Sequence, residues 1–296
     1  MRAVFLAALA ISILVACESK TLSQPIVVYA TGEDDTSLPT WLAEFTDETG
    51  IPVTVNYGDS GANTDAVIAN TGSPPADVLL TSNVADIWRA ADEGALRPIQ
   101  SAHLSSIPEY LRDPDGQWAA LEVRYAAIDV APGLAVTSPG NYADLADPKL
   151  HGQICLSSSA LAVNRSLIAM LIQDLGVRPA ERIVRGWQRN LAFFPFPTEA
   201  ELQVAIASGS CNYGILSMSP EIQIGEKAED RQYYVDIDGI GVARHAQNPE
   251  SAHVLVDWML KKKAIKDLAW SNGKNVGIAG WRDEEARLLA ERAGYQ

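Results

Sequence analysis

The chain has 296 residues, of which 47% are hydrophobic and 20% charged, an ordinary composition for a globular protein long enough to form two domains. Its formal net charge of −14 repels nucleic acid and anionic lipid head groups, and no basic cluster larger than Lys261-Lys262-Lys263 offsets that charge. We therefore do not expect it to bind nucleic acid.

The first 16 residues have the pattern of a secretory signal peptide. Met1-Arg2 gives a positive start, residues 3–16 are almost wholly apolar, and Leu14-Val15-Ala16-Cys17 has the form of a lipobox. The apolar run is shorter than the ~20 residues that span a bilayer. We expect cleavage before Cys17, lipidation of Cys17 and a polar tether over residues 17–25. An ordinary cleaved signal with an incidental cysteine is the alternative.

Residues 26–92 alternate short apolar strands with helical patterns. Strands are predicted at 26–29, 53–57 and 77–80, and helices from 39 to near 50, at 64–70, and from an Asn83 cap to 92. Near-continuous apolar strands that alternate with helices predict a parallel sheet covered on both faces, and therefore an α/β fold.

A second lobe is predicted to begin after residues 123–130. Its predicted strands cover 153–156, 212–216 and 235–242, and its predicted helices cover 160–175, 181–190, 199–207 and 251–260. The run Ser157-Ser158-Ser159 is expected to cap the first of these helices.

Polar loops follow the predicted strands, at 31–37, 58–63, 81–83, 157–159 and 217–219. In open α/β sheets, ligands bind beyond the carboxyl ends of the strands, where backbone N–H groups and hydroxyls suit an oxyanion. Any one Ser or Thr in these loops is also a plain helix cap. Five such loops from two lobes indicate one shared ligand cleft.

The cysteines agree with export. Besides Cys17, the sequence holds only Cys155 and Cys211, and an even pair in an oxidising compartment indicates a disulfide, with two buried free thiols as the alternative. The pair lacks the further Cys or His ligands of a zinc site.

A secreted hydrolase is a weaker hypothesis. The nucleophile-elbow spacing G-x-S-x-G fails at Ala62 in Gly58-Asp59-Ser60-Gly61-Ala62, and none of the four histidines pairs at metal-ligand spacing. We expect a binding protein and no catalysis. An adhesin or scaffold that does not close on a ligand is a further alternative.

Several stretches, in one order along the chain, carry a family resemblance. They are 27–29, 41–55 (WLAEFTDETGIPVTV), 75–78, 87–90, 94–98, 107–113, 142–155 (YADLADPKLHGQIC) and 239–246. In them the chain resembles periplasmic substrate-binding proteins of ABC importers, of the ferric-iron-binding group.

The resemblance implies a two-lobed periplasmic binding protein fold of type II. Each lobe would be a mostly parallel sheet flanked by helices, with the ligand cleft between them and a Cys155–Cys211 bridge in the second lobe. Lobe 1 is expected at 26–125 plus 236–280, and lobe 2 at 126–235 plus 281–296. The implied partners are a membrane permease and its ATPase, and the implied state is a monomer that needs no cofactor.

The ferric signature of that group is altered in this chain. Gly32-Glu33-Asp34 stand where the group has a histidine, Tyr57 stands where it has a glutamate, and Ser219-Pro220 stand where it has adjacent tyrosines. Ferric iron is a hard ion that prefers phenolate and carboxylate oxygens. Tyr233-Tyr234 lie well beyond the matching position and are interpreted as structural.

Two ligand hypotheses follow. Ferric iron would be held by Glu33, Asp34 and Tyr57, with Tyr125 or Tyr142. A small organic anion, such as a phosphate ester, phosphonate or carboxylate, would instead be held by the serine-rich loops and a bidentate contact from Arg124. The acidic loop at 33–35 also suits a cationic organic solute. The residues expected to contact the solute are Thr31, Glu33, Asp34, Tyr57, Ser60, Thr81, Ser82, Arg124, Ser157, Ser158, Asn164, Ser217 and Ser219.

Overall fold

A computed structural model describes residues 24–32, 37–134, 139–219, 233–263, 265 and 273–296. The predicted signal segment, Cys17, Glu33 and Asp34 lie outside the described residues. Within the described ranges, no helix is both long and apolar enough to cross a bilayer.

The structure alternates strands and helices along the chain. The strands are β1 (Ile26–Ala30), β2 (Val53–Tyr57), β3 (Val78–Thr81), β4 (Leu96–Arg97), β5 (Trp118–Val130), β6 (Ile154–Cys155), β7 (Tyr213–Met218) and β8 (Val235–Ala243). The helices are α1 (Ser37–Thr49), α2 (Ser60–Ala69), α3 (Val84–Asp92), α4 (Ala162–Leu175), α5 (Val177–Asn190), α6 (Glu199–Ala207), α7 (Pro249–Lys263), α8 (Gly277–Trp281) and α9 (Asp283–Ala293).

The described strands form one mixed sheet in the order β2-β1-β3-β8-β5-β7-β6, with β4 also on β8. Strands β1, β2 and β3 are parallel at one end, and β6 and β7 are parallel at the other. These two parallel groups are the predicted half-sheets. Among the described residues, Thr31 follows β1, Gly58 and Asp59 follow β2, and Ser82 and Asn83 follow β3.

Two long strands, β5 and β8, join the halves. The start of β5 pairs with the end of β8, whereas residues Tyr125–Val130 of β5 pair with β7. The end of β8 pairs with β3 in the other half, so both strands belong to both halves. Both crossing strands are antiparallel to their neighbours, and the predicted lobe boundaries at 125/126 and 235/236 fall within them. Those boundaries stay a prediction.

Most predicted elements are present. The strand at 53–57 and the helix at 199–207 have the predicted bounds, and Asn83 caps α3 by accepting the Asp86 N–H at 2.8 Å. Helix α2 begins earlier than predicted, at Ser60, because Asp59 caps it by accepting the Ala62 N–H at 3.0 Å. Strand β4 and helices α8 and α9 are further elements that the sequence patterns did not predict.

Two predictions about the serine runs were wrong. Helix α4 begins at Ala162 after Leu161, which makes no side-chain cap, and Ser158 Oγ instead accepts the Ala160 N–H at 3.2 Å, inside the preceding turn. Ser217 is part of β7 and not of a loop, because pairing with β5 continues through Met218.

The second half is closed by a disulfide and by the C-terminal helix. Cys155 at the end of β6 is bonded to Cys211 just before β7, with Cα atoms 5.9 Å apart. Helix α9 packs on α4 and α5, while α8 packs on both α3 and α4 and so touches helices of both halves.

Candidate functional site

The carboxyl ends of β1, β2 and β3 form the first side of the candidate site. Ser60 begins α2 and is buried; its Oγ accepts the Ser82 N–H at 3.4 Å and lies 3.5 Å from Asn83 Nδ2. Thr81 Oγ1 donates to the Asn83 carbonyl at 2.9 Å. Parallel strands thus bring the predicted residues Ser60, Thr81 and Ser82 into one hydrogen-bonded turn.

Arg124 on β5 connects this turn to the crossing strands. Its Nη2 donates to the Ser82 carbonyl at 2.6 Å and is 2.7 Å from Asp238 Oδ1 on β8. Burial opposes the charge on Arg124, but Asp238, Asp236 and Glu122 together outweigh it and raise its pKa. Arg124 is therefore a permanent cation already paired with carboxylates, and its predicted bidentate contact to a solute anion would have to compete with Asp238.

The pairing of β5 with β8 places four charged side chains together, Arg124 and Asp238 among them. Arg124 pairs in register with Asp236, and Glu122 pairs with Asp238, so all four side chains share one face of the sheet. Asp236 is completely buried, and its Oδ1 accepts the Val84 N–H at the start of α3 at 2.9 Å. Its Oδ2 has no hydrogen-bond partner among the described residues.

The other half contributes Ser157, Ser158 and Asn164. Asn164 Nδ2 donates to Ser157 Oγ at 3.0 Å and to the Ser158 carbonyl at 3.0 Å, and the Tyr295 hydroxyl donates to the Ser157 carbonyl at 2.6 Å. Ser157 and Asn164 are buried. This geometry favours a positioning role for both; their direct contact with a solute stays a prediction.

Glu199, the first residue of α6, lies near enough to Arg124 for the arginine charge to favour its ionised form. Its Oε1 accepts the Ser217 N–H at 2.9 Å. Burial raises the pKa of Glu199, although the Ser217 N–H and the nearby Arg124 favour its charged form. The Ser217 hydroxyl is itself buried and has no hydrogen-bond partner among the described residues. Hydrogen bonds therefore connect Ser60, Ser82 and Arg124 in one group and Glu199 and Ser217 in another, and the charge of Arg124 acts on Glu199 between the two groups.

The tyrosines considered as iron ligands have different surroundings. Tyr57 is half-buried at the end of β2, whereas Tyr125 packs on Tyr233 with ring centroids 5.0 Å apart. Burial, with a smaller contribution from Tyr233, raises the pKa of Tyr125. Burial therefore favours the neutral phenol of Tyr125 in the metal-free protein, and its role as an iron ligand stays a prediction.

Tyr142 is held as part of the core. Its hydroxyl donates to the Ala126 carbonyl at 2.6 Å, its ring stacks on Tyr234, and burial strongly raises its pKa. The interpretation of Tyr233-Tyr234 as structural agrees with these packing contacts.

The described residues contain no group of three or more His, Cys, Asp or Glu side chains able to hold a metal ion. Glu33 and Asp34 lie outside them, so the proposed iron ligands stay a prediction. Thr31 and Ser219 are half-buried at the ends of β1 and β7.

Sequence reasoning missed Glu199, Asp236, Asp238 and Tyr295. A signal was present for two of them, since carboxylates at alternate positions of the otherwise apolar strand VDIDGIGVA place two charges on one face. Glu199 and Tyr295 gave no local signal, because their partners are 18 and 138 residues away.

Comparison with known proteins identifies the family. The family model described as "Bacterial extracellular solute-binding protein" matches residues 73–274, more than half of the chain. The chain belongs to this family. It is therefore a binding protein and not an enzyme.

Relatives of this solute-binding family include proteins named for iron. Iron uptake protein A1 of Synechocystis sp. is 30% identical over 261 residues, covering 80% of this chain and 72% of that protein. An Fe(3+)-binding periplasmic protein of Serratia marcescens is 22% identical over 277 residues, covering 88% and 81%. These relatives support a periplasmic location.

Another relative carries a different ligand in its name. A putative 2-aminoethylphosphonate-binding periplasmic protein of Salmonella typhi is 24% identical over 246 residues, covering 76% of this chain and 70% of that protein.

Among solved structures, a Trichodesmium protein in complex with iron and citrate ligands has a TM-score of 0.79 at 26% identity, covering 92% of this chain and all of that one. The predicted two-lobed fold of type II is confirmed.

Proposed function

We propose that this protein is the extracytoplasmic solute-binding component of an ABC importer. It captures a small solute between its lobes and delivers it to a membrane permease driven by an ATPase. The observation that supports this proposal is a pair of polar groups, one in each half: Ser60, Ser82 and Arg124 are joined by hydrogen bonds, and Glu199, on which the charge of Arg124 acts, is hydrogen-bonded to Ser217. A solute bound there touches both lobes and favours their closure.

Ferric iron is the first candidate solute, by similarity to the iron-named relatives. Tyr57 is the most accessible of the three candidate phenols, because it ends β2 half-buried, whereas Tyr125 and Tyr142 are buried. Glu33 and Asp34 would add carboxylate oxygens.

Visible absorption spectroscopy tests the iron hypothesis. Protein stripped of ligand and mixed with ferric citrate is expected to acquire a visible phenolate-to-iron absorption band, and Tyr57→Phe is expected to remove it. Tyr29→Phe is the matched control, since that hydroxyl donates to the Pro74 carbonyl away from the cleft. A colourless protein with an unchanged melting temperature would exclude iron as the solute.

A small organic anion is the second candidate. The hydroxyl-rich turn at Ser60 and Ser82 favours it, as does the buried Ser217 hydroxyl, which has no hydrogen-bond partner within the described part of the chain. Native mass spectrometry of protein purified from its own periplasm weighs the carried solute, and a mass that matches an iron complex would exclude this candidate.

We further propose that Cys17 carries the lipid anchor and that the mature protein acts as a monomer. The protein from the membrane fraction is expected to begin at Cys17 and to carry added acyl mass by intact-mass spectrometry, and Cys17→Ala is expected to lose that mass. A mature chain that begins at Cys17 without added acyl mass would contradict the anchor.

A further inference from the structure

A small cavity of about 60 Å³ opens on lobe 1, beside the carboxyl ends of β1 and β3. Thr31 and Thr81 form its rim, Trp41 of α1 forms one wall, and Glu122 and Asp238 line it from the two crossing strands. A cavity of this size holds more than one water molecule and suits a small group such as an alkylammonium head. The cavity therefore combines an aromatic face with two carboxylates.

The ammonium group of Lys263 already contacts two of the residues that line this cavity, Trp41 and Glu122. Lys263, the last residue of α7, places its Nζ 3.8 Å from the centroid of the Trp41 ring and forms an ion pair with Glu122. A cation over the face of tryptophan is attracted by the ring quadrupole, and a carboxylate at its side strengthens the attraction. Lys263 thus shows what chemical group these side chains accept.

The charges around the cavity are not balanced. Three carboxylates, Glu122, Asp236 and Asp238, face two cations, Arg124 and Lys263. When all five are ionised, one negative charge is left in a partly buried cluster, where screening by water is weak. A cationic group that enters the cavity relieves this excess, and an anionic group increases it.

Lys262 offers an internal comparison. It makes the same kind of contacts one residue earlier, an ion pair with Glu44 and a position 4.9 Å from the centroid of the Trp258 ring. Neither Glu44 nor Trp258 lines the cavity beside Lys263. Trp258 lines a separate cavity together with Glu250 and Asp257, so each of the two lysines contacts a tryptophan that borders a cavity.

We propose that this cavity is a subsite for a primary ammonium group of the solute, and that this group takes over the contacts that Lys263 makes with Trp41 and Glu122. The proposal rests on the solute-capture function proposed above and adds a chemical class to it: a small solute that bears a protonated amine. The remainder of the solute extends from Thr81 toward the neighbouring Ser82 and Ser60.

Chemical rescue tests whether the cavity accepts a free ammonium ion. In Lys263→Ala, propylammonium chloride is expected to raise the melting temperature at least about 2 °C more than the same concentration of sodium chloride. The double variant Lys263→Ala/Trp41→Leu is the control, because it lacks the aromatic face of the cavity, and it is expected to respond equally to both salts. If Lys263→Ala does not fold, Lys263→Met replaces it, because methionine keeps the aliphatic contacts. Equal responses to both salts in the Lys263 variant overturn the proposal.

A pair of solutes tests whether the amine displaces Lys263 in the unaltered protein. 2-Aminoethylphosphonate is expected to bind at least about tenfold more tightly than ethylphosphonate, which lacks only the amine, and Trp41→Leu is expected to remove the difference. Equal affinities, including no detectable binding of either compound, overturn the proposal. If the lobes still close on another solute in that case, the subsite fails while the solute-capture function stands.

Discussion

Asp236 is a completely buried carboxyl on the crossing strand β8. Burial raises its pKa from 3.8 to about 6, although Arg124 and the backbone N–H of Val84 favour the charged form. The unfolded chain releases this proton at lower pH, so the folded state holds the extra proton between about pH 4 and pH 6. The contribution of Asp236 to folding is therefore largest in acid and falls as the pH rises through this window.

Replacing Asp236 by asparagine tests this linkage. The variant keeps an acceptor for the Val84 N–H and removes the titration, so its stability relative to the wild type is expected to rise between pH 4 and pH 7, by on the order of 1–3 kcal/mol. Urea unfolding at several pH values measures the difference. Asp115→Asn on an exposed loop controls for the loss of one negative charge, and a pH-independent difference for Asp236→Asn would contradict the assignment.

The predicted contact of Arg124 with a solute anion is also a question of individual side chains. An arginine beside serine-rich loops indicates anion binding, but the pattern could not show that two carboxylates on the adjacent strand lie within its reach. Asp238 is 114 residues away in sequence and becomes a neighbour only through the register of β5 with β8. Side-chain function here depends on strand pairing and not on local sequence.

At the scale of elements, the parallel half-sheets were well predicted because β1 and β3 are apolar along almost their whole length, β2 alternates apolar and polar residues, and polar residues follow each of them. Strand β4 was missed because it has only two residues, and α8 because it has only five. Helix α9 has acidic residues in its first turn, and its apolar residues pack on α4 and α5. These acidic and apolar residues are a local signal for a helix that the sequence already contains.

The disulfide belongs to the element scale, since it fastens β6 to the segment before β7. It closes a loop with a sequence separation of 56 residues, so replacing Cys155 and Cys211 by serine is expected to cost about 2–4 kcal/mol of the free energy of unfolding. Denaturant unfolding measures the loss. Reductant should destabilise the wild type by a similar amount and leave the double variant unchanged; equal sensitivity of both would show that no bond forms.

At the scale of the whole molecule, β5 and β8 belong to both halves, and α8 contacts helices of both. A shift of one half against the other must be absorbed along these elements. Arg124, Asp236 and Asp238 lie on the crossing strands, so the charge network described above sits at the place where closure would change distances.

Ligand-driven closure is expected in solution. Protein that retains its co-purified solute should have a smaller radius of gyration by small-angle scattering than the same protein after stripping. At ~100 times the dissociation constant, the solute should add ~2.7 kcal/mol of stability. Bovine serum albumin treated in the same way controls for effects of the stripping procedure. An unchanged radius with bound solute would contradict closure and favour a rigid scaffold.

The sequence alone determined the alternation of strands and helices, the polar loops at the strand ends and the cysteine pair, because apolar periodicity, turn residues and spacing are local properties. The tertiary structure decided which polar groups meet: Arg124 with Asp238, Glu199 with Ser217, and Lys263 with Trp41 and Glu122. These partners are 18 to 222 residues apart, and only strand register and helix packing bring them within contact distance.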